Sequence, residues 1–121
     1  MIPELTCMDV AFEFWRRNKE RSNIELTNED IMRLCFLANL FYSNKHNIPI
    51  ASNMSFENIY EAPFNEQIND MLCYSNLEED ANLYAPEYIP DSKDKMIDSI
   101  YNIFAHMKTE DYENLKSYIL Y

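Results

Sequence analysis

A chain of 121 residues is long enough to bury one hydrophobic core and too short for two ordinary domains, so a single domain spanning 1–121 is expected. With 47% hydrophobic and 14% aromatic residues it lies outside the disordered class, because that much apolar area offsets the entropy of ordering the backbone. Ten Lys and Arg against 21 Asp and Glu give a formal charge of −11 and a pI near 4.4, a field that repels phosphates and disfavours direct reading of nucleic acid.

The first helix is expected over residues 7–20, where Val10, Ala11, Phe14 and Trp15 make one apolar patch. It closes on Arg16-Arg17-Asn18-Lys19-Glu20-Arg21, a basic run that reads as a complement to the helix dipole rather than a phosphate clamp. Ser22 to Leu26 form a short connector whose Ile24 or Leu26 can staple the next helix. That next helix, Thr27 to Asn47, carries Ile31, Leu34, Cys35, Ala38, Phe41 and Tyr42 at steps of three and four, so they share one side. Arg33 falls off the stripe. Thr27 serves as N-cap with Asp30 three residues on, Lys45 and His46 suit the free carbonyls at the far end, and Pro49 stops the element.

Between Pro49 and Pro63, Met54, Phe56, Asn58 and Tyr60 alternate with Ser55, Glu57 and Ile59, a period of two that marks an extended or short-strand segment near residues 54–60. Helical spacing returns from Phe64 to Tyr74 through Ile68, Met71 and Leu72, with Pro63 at or just before the first turn. Residues 75–91 read as a loop bearing the acidic run Glu78-Glu79-Asp80 and the aromatics Tyr84 and Tyr88, which either lid the core or face a partner. A fourth helix, capped by Asp91 or Ser92, runs through Met96, Ile97, Ile100, Tyr101, Phe104 and Met107. A fifth opens at Thr109 and carries Tyr112, Leu115, Tyr118 and Ile119. The expected architecture is therefore mainly α, a compact bundle of about five helices. Zero glycines agree with it, since hairpins and left-handed turns must fall to Asn, Asp and Pro.

Chemistry-bearing patterns are sparse. Cys7, Cys35 and Cys73 form no CxxC pair and imply neither a disulfide framework nor a zinc site; Cys35 and Cys73 read as buried thiols of a reducing compartment, with the cytoplasm as the default. His46 and His106 sit near helix C-termini, where the dipole favours an imidazolium. Glu78, Glu79 and Asp80 are adjacent rather than spaced as metal ligands, and phosphate-cradling loops need glycines that are absent. The expectation is a protein without catalytic residues, metal or cofactor. No apolar run is long enough to span a membrane, and Pro3 and Glu4 interrupt any leader at Met1 to Leu5.

Two segments resemble the Panacea domain, the fold of SocA-like antitoxins and phage-associated GepA-like proteins. Ile31-Met32-Arg33-Leu34-Cys35-Phe36 occupies the place of the family's Leu-x-Lys-Leu-Leu-Tyr helix. Phe56 to Phe64 follows its Phe-x-Ala-Trp-x-x-Gly-Pro-Val in register, keeping Phe56 and Pro63 while Asn58, Ile59 and Ala62 replace the family's Ala, Trp and Gly. Met96 to Tyr101 and Thr109 to Leu115 look like the closing helix, turn and Leu-bearing helix, so the likeness covers residues 8 to 118 in a short, divergent form. The resemblance implies an antitoxin-like inhibitor that binds and occludes a toxin without turnover, in a bacterial cell and often on a prophage or mobile element. The acidic surface is compatible with a basic partner, contacted by Glu78, Glu79, Asp80, Tyr84 and Tyr88. The alternative is an anti-defence inhibitor that mimics the charge of nucleic acid and blocks a nuclease.

Overall fold

The computed structural model describes residues 4–21, 24–81, 85–86 and 88–119. Within them lie five helices: α1 (Cys7–Arg21), α2 (Asn28–His46), α3 (Glu66–Tyr74), α4 (Asp91–Phe104) and α5 (Thr109–Ile119). The mainly helical architecture is as the periodicity predicts. Ser22, Asn23 and Tyr84 fall outside the described residues.

Both long helices start on reciprocal caps. The Thr27 hydroxyl accepts from the Asp30 amide at 3.1 Å while the Asp30 carboxylate accepts from the Thr27 amide at 3.0 Å. Thr6 and Asp9 repeat the arrangement ahead of α1 at 3.3 and 2.8 Å. Each cap satisfies amides that the first helical turn leaves without partners. At its other end α2 closes on Asn47, whose left-handed backbone (φ 61°) lets its amide reach the Ser43 carbonyl at 2.8 Å. Asn53 and Asn58 take the other positive φ angles of the described chain, 60° and 54°. Asparagine thus stands in for glycine at all three, because its short polar side chain lowers the cost of the left-handed region.

α2 is the hub. It packs against α1, α3 and α4, and Ile31 to Ala38 are buried without a break. The expected one-sided stripe is therefore too narrow: neighbours on several sides cover Met32, Phe36 and Leu37 as well as Leu34 and Cys35. Arg33, expected off the stripe, is buried too. It is held by the Asp30 carboxylate one turn back and lies 5.7 Å from the Tyr112 ring of α5. The core joins these helices through Val10, Phe14, Leu34, Leu37, Ile68, Ile97 and Ile100, with Ile50 and Ala51 tucked beneath the end of α2.

The remaining differences from expectation have local causes. α3 begins at Glu66 rather than Phe64 because Asn65 is its cap: the Asn65 side chain accepts from the Ile68 amide at 3.0 Å and donates to the Asn53 and Ser55 carbonyls at 2.8 and 3.0 Å. Phe64 instead exchanges two 2.9 Å backbone bonds with Glu57 in an isolated antiparallel bridge. The 54–60 segment is extended only as far as that bridge. Met54 and Phe56 face the core and Ser55 and Glu57 face solvent, until the left-handed Asn58 reverses the phase and turns Ile59 inward. α4 ends at Phe104, short of Met107, and starts on Pro90, whose carbonyl receives the Lys93 and Asp94 amides at 3.0 and 2.9 Å. Asp91 lies inside the first turn rather than on the cap.

Candidate interaction surface

Glu78, Glu79 and Asp80 share one turn that follows α3. Asn76 builds it: its side chain accepts from the Glu79 amide at 3.1 Å and its carbonyl from the Asp80 amide at 2.9 Å. Leu77 points the other way and is buried in the core, so the turn is anchored while its carboxylates stay outside. Glu78 and Glu79 are exposed and Asp80 is half-buried. The Lys19 ammonium meets the Glu78 carboxylate at 2.6 Å, and this hydrogen bond with its charge holds Glu78 below its ordinary value. Tyr88, beyond residues 82–84, is 53% exposed shortly before α4, so it does not lid the core.

Tyr74, expected only as the end of a helix, adjoins this surface. It is the last residue of α3, immediately before the acidic turn, and is 85% exposed. Helical spacing does not mark it, because Tyr74 lies about 120° from Ile68 but only about 60° from Met71 at 100° per residue, and these two define the buried side of α3. A hollow of about 420 Å³, whose lining does not include Tyr74, opens between the end of α1, the start of α2 and the acidic turn. Trp15, Leu26, Ile31, Leu72 and Leu77 line it together with Asn28, Ser75 and Asn76, and Lys19 and Glu78 meet at its edge.

The basic run at the end of α1 has a use that its spacing did not disclose. Arg17 is buried and its guanidinium reaches Glu13 at 2.6 Å, Asp94 at 2.5 Å and Asp98 at 3.4 Å. Arg16 bonds Glu13 and Glu20 at 2.6 and 3.0 Å, and Arg21 pairs with Asp98. The run is thus neither a phosphate clamp nor chiefly a partner for the helix dipole. It fastens α1 to α4. Arg21 first and Arg17 second hold the Asp98 carboxyl below its ordinary value.

Cys35 is wholly buried on α2, and burial, with Cys7 adding to it, keeps its thiol well above the usual range. Cys7 is buried too, its thiol raised by desolvation and pointed at the side-chain oxygens of Asn65 and Gln67 at 3.8 and 3.6 Å. Cys73, expected to be buried, is exposed on the outer side of α3 and accepts from Asn28 at 3.5 Å. His46 and His106 are exposed, the former with its ring 4.3 Å from that of Tyr42. Among the described residues no three His, Cys, Asp or Glu side chains gather at metal-binding spacing, and no helix is long and apolar enough to cross a membrane.

A second hollow, of about 550 Å³, lies between the end of α2 and the 51–55 run. Its polar side chains are engaged in holding turns: Asn39 accepts from the Ile50 amide at 3.0 Å, and Ser43 donates to the Leu40 carbonyl at 3.2 Å. Set against models of protein families, curated proteins and solved structures, the chain matches none of them.

Proposed function

We propose that this chain is an antitoxin-like inhibitor that binds a basic partner protein and occludes it, without transforming a substrate. One observation carries the reading: Glu78 and Glu79 stand exposed on a turn that closely follows the 85% exposed Tyr74, on a molecule of formal charge −11. Carboxylates steer a basic partner and set its orientation, while tyrosine supplies contact area at low entropy cost. Tyr74 and Tyr88 are the anchors, Glu78 and Glu79 the charged rim, and Asp80 a half-buried support. The resemblance to Panacea antitoxins supports the same assignment, and free thiols at Cys7, Cys35 and Cys73 fit a reducing, cytoplasmic setting.

The alternative is mimicry of nucleic acid against a defence nuclease, which the formal charge of −11 supports. Tagged protein is used to capture a partner from the native host, and affinity for the purified partner is then measured across a salt series. Replacing Glu78, Glu79 and Asp80 together by Lys is expected to weaken binding at least tenfold and flatten the salt dependence. An unchanged affinity would sink the assignment of this surface. Competition by duplex DNA for the same partner marks the mimic; indifference to DNA marks the antitoxin.

A further inference from the structure

At the rim of the hollow beside α3, Lys19 is held by two different recognition elements. Its ammonium lies 2.6 Å from the Glu78 carboxylate and 5.9 Å from the centre of the Trp15 ring. A carboxylate next to an aromatic face is the pairing that binds an ammonium or a guanidinium, through a charge-assisted hydrogen bond and the ring quadrupole. Here the chain supplies the cation itself. Its hold is weak, since the two side chains are 43% and 65% exposed and solvent screens such a pair. An arginine is the natural replacement, because its planar fork matches a carboxylate with two parallel bonds and stacks on an indole, neither of which lysine can do. Leu26 and Leu72, both half-buried, continue the lining from the same rim, among the polar Asn28, Ser75 and Asn76. Its volume of about 420 Å³ suits a few side chains rather than a folded element.

We infer that this hollow receives a short basic segment of the partner, with an aliphatic side chain against Leu26 and Leu72 and an arginine displacing Lys19 from Glu78 and Trp15. The inference rests on the partner-binding reading and narrows it to one face and one kind of ligand. Charge complementarity selects the occupant. The acidic turn repels anionic ligands, and an uncharged aliphatic segment would leave the Glu78 and Trp15 pair unused.

Trp15 is the sole tryptophan of the chain, so its fluorescence reports directly on the hollow. The probes are the peptide acetyl-Leu-Ala-Arg-amide and its citrulline analogue, which keeps the shape and removes the charge, titrated into the full chain at low salt. A saturable change with the arginine peptide, at least tenfold weaker with citrulline, is expected. Glu78→Gln is expected to weaken the arginine peptide about tenfold. Lys19→Met, which vacates the subsite, is expected to tighten it about threefold, in keeping with the small worth of an exposed pair. Glu110→Gln, an equal loss of charge on α5, is expected to leave the titration unchanged. Equal binding of the citrulline peptide, equal loss in Glu110→Gln, or no saturable signal in both the unaltered chain and Lys19→Met would each overturn the inference. A host partner that still binds while the peptides fail would remove the hollow and leave the proposed function standing. Peptide binding without any partner in the host would do the reverse.

Discussion

Burial holds the Cys35 thiol well above its ordinary 9.0 and raises Cys7 as well, whereas Cys73 stands in solvent on α3. Because the thiolate is the reactive form, access and pKa act in the same direction. A disulfide reagent at mildly alkaline pH is expected to modify one thiol quickly and the other two only as fast as the fold opens; Cys73→Ser should abolish the fast phase. Two or three thiols reacting at the fast rate would contradict the burial of Cys7 and Cys35. The environment of Cys73 was legible in the sequence, though its composition misled. It lies about 140° from Ile68 around α3 at 100° per residue, away from the side that Ile68, Met71 and Leu72 define. Arg33 was not legible in that way. Its partner Asp30 is local, but Tyr112 comes from a helix some eighty positions on, and helical periodicity carries no trace of that contact. Tyr112 in turn packs out of solvent with Arg33 and Lys116 over its ring, and desolvation pushes its hydroxyl up to about 12.

At the scale of elements, the fastening of α1 to α4 is the feature with the largest consequences for stability. Glu13 is 2% exposed and Arg17 4%, so removing the guanidinium leaves a buried carboxylate with Arg16 alone. Arg17→Met keeps much of the volume and loses the charge; it is expected to cost about 3 kcal/mol, near the low end for breaking a buried pair, by urea unfolding at neutral pH. A loss under about 1 kcal/mol would mean that the network contributes no more than a surface pair. The same cluster sets an acid limit. Asp98 ionises below its ordinary 3.8 in the folded chain, so its contribution is complete above that pH and is lost as pH falls through the folded value. Asp98→Asn should flatten the stability profile below about pH 4 and leave its slope near neutrality alone. Local signals announced the start and stop of α2, since Thr27, Asp30 and the closing residues are neighbours in sequence. The start of α3 depended on Asn65 reaching Asn53 and Ser55, and the network on Arg17 reaching Asp94 and Asp98. Neither long-range pairing leaves a mark on periodicity.

For the molecule as a whole, composition was a sound guide to class and a poor one to the position of charge. The absence of glycine points to helices with Asn, Asp and Pro at the turns, and of these asparagine takes the left-handed positions of the described residues, Asn47, Asn53 and Asn58. The net charge, by contrast, hides its division: the cations of α1 are bound up in pairs with α1, α4 and the acidic turn, while Glu78, Glu79, Glu110 and Asp111 stay exposed. Salt therefore acts on two quantities in opposite directions. Screening relieves the mutual repulsion of an −11 surface and spares Arg17 and Glu13, because a buried pair is screened much less than an exposed one. Raising ionic strength from about 0.02 to about 0.3 M is expected to lift the melting temperature by a few degrees. Over the same range, association with a basic partner should slow about tenfold or more, as the attraction that steers the encounter is shortened. A melting temperature that fell with salt would show the internal pairs outweighing the repulsion, and an association rate indifferent to salt would remove the acidic face from recognition.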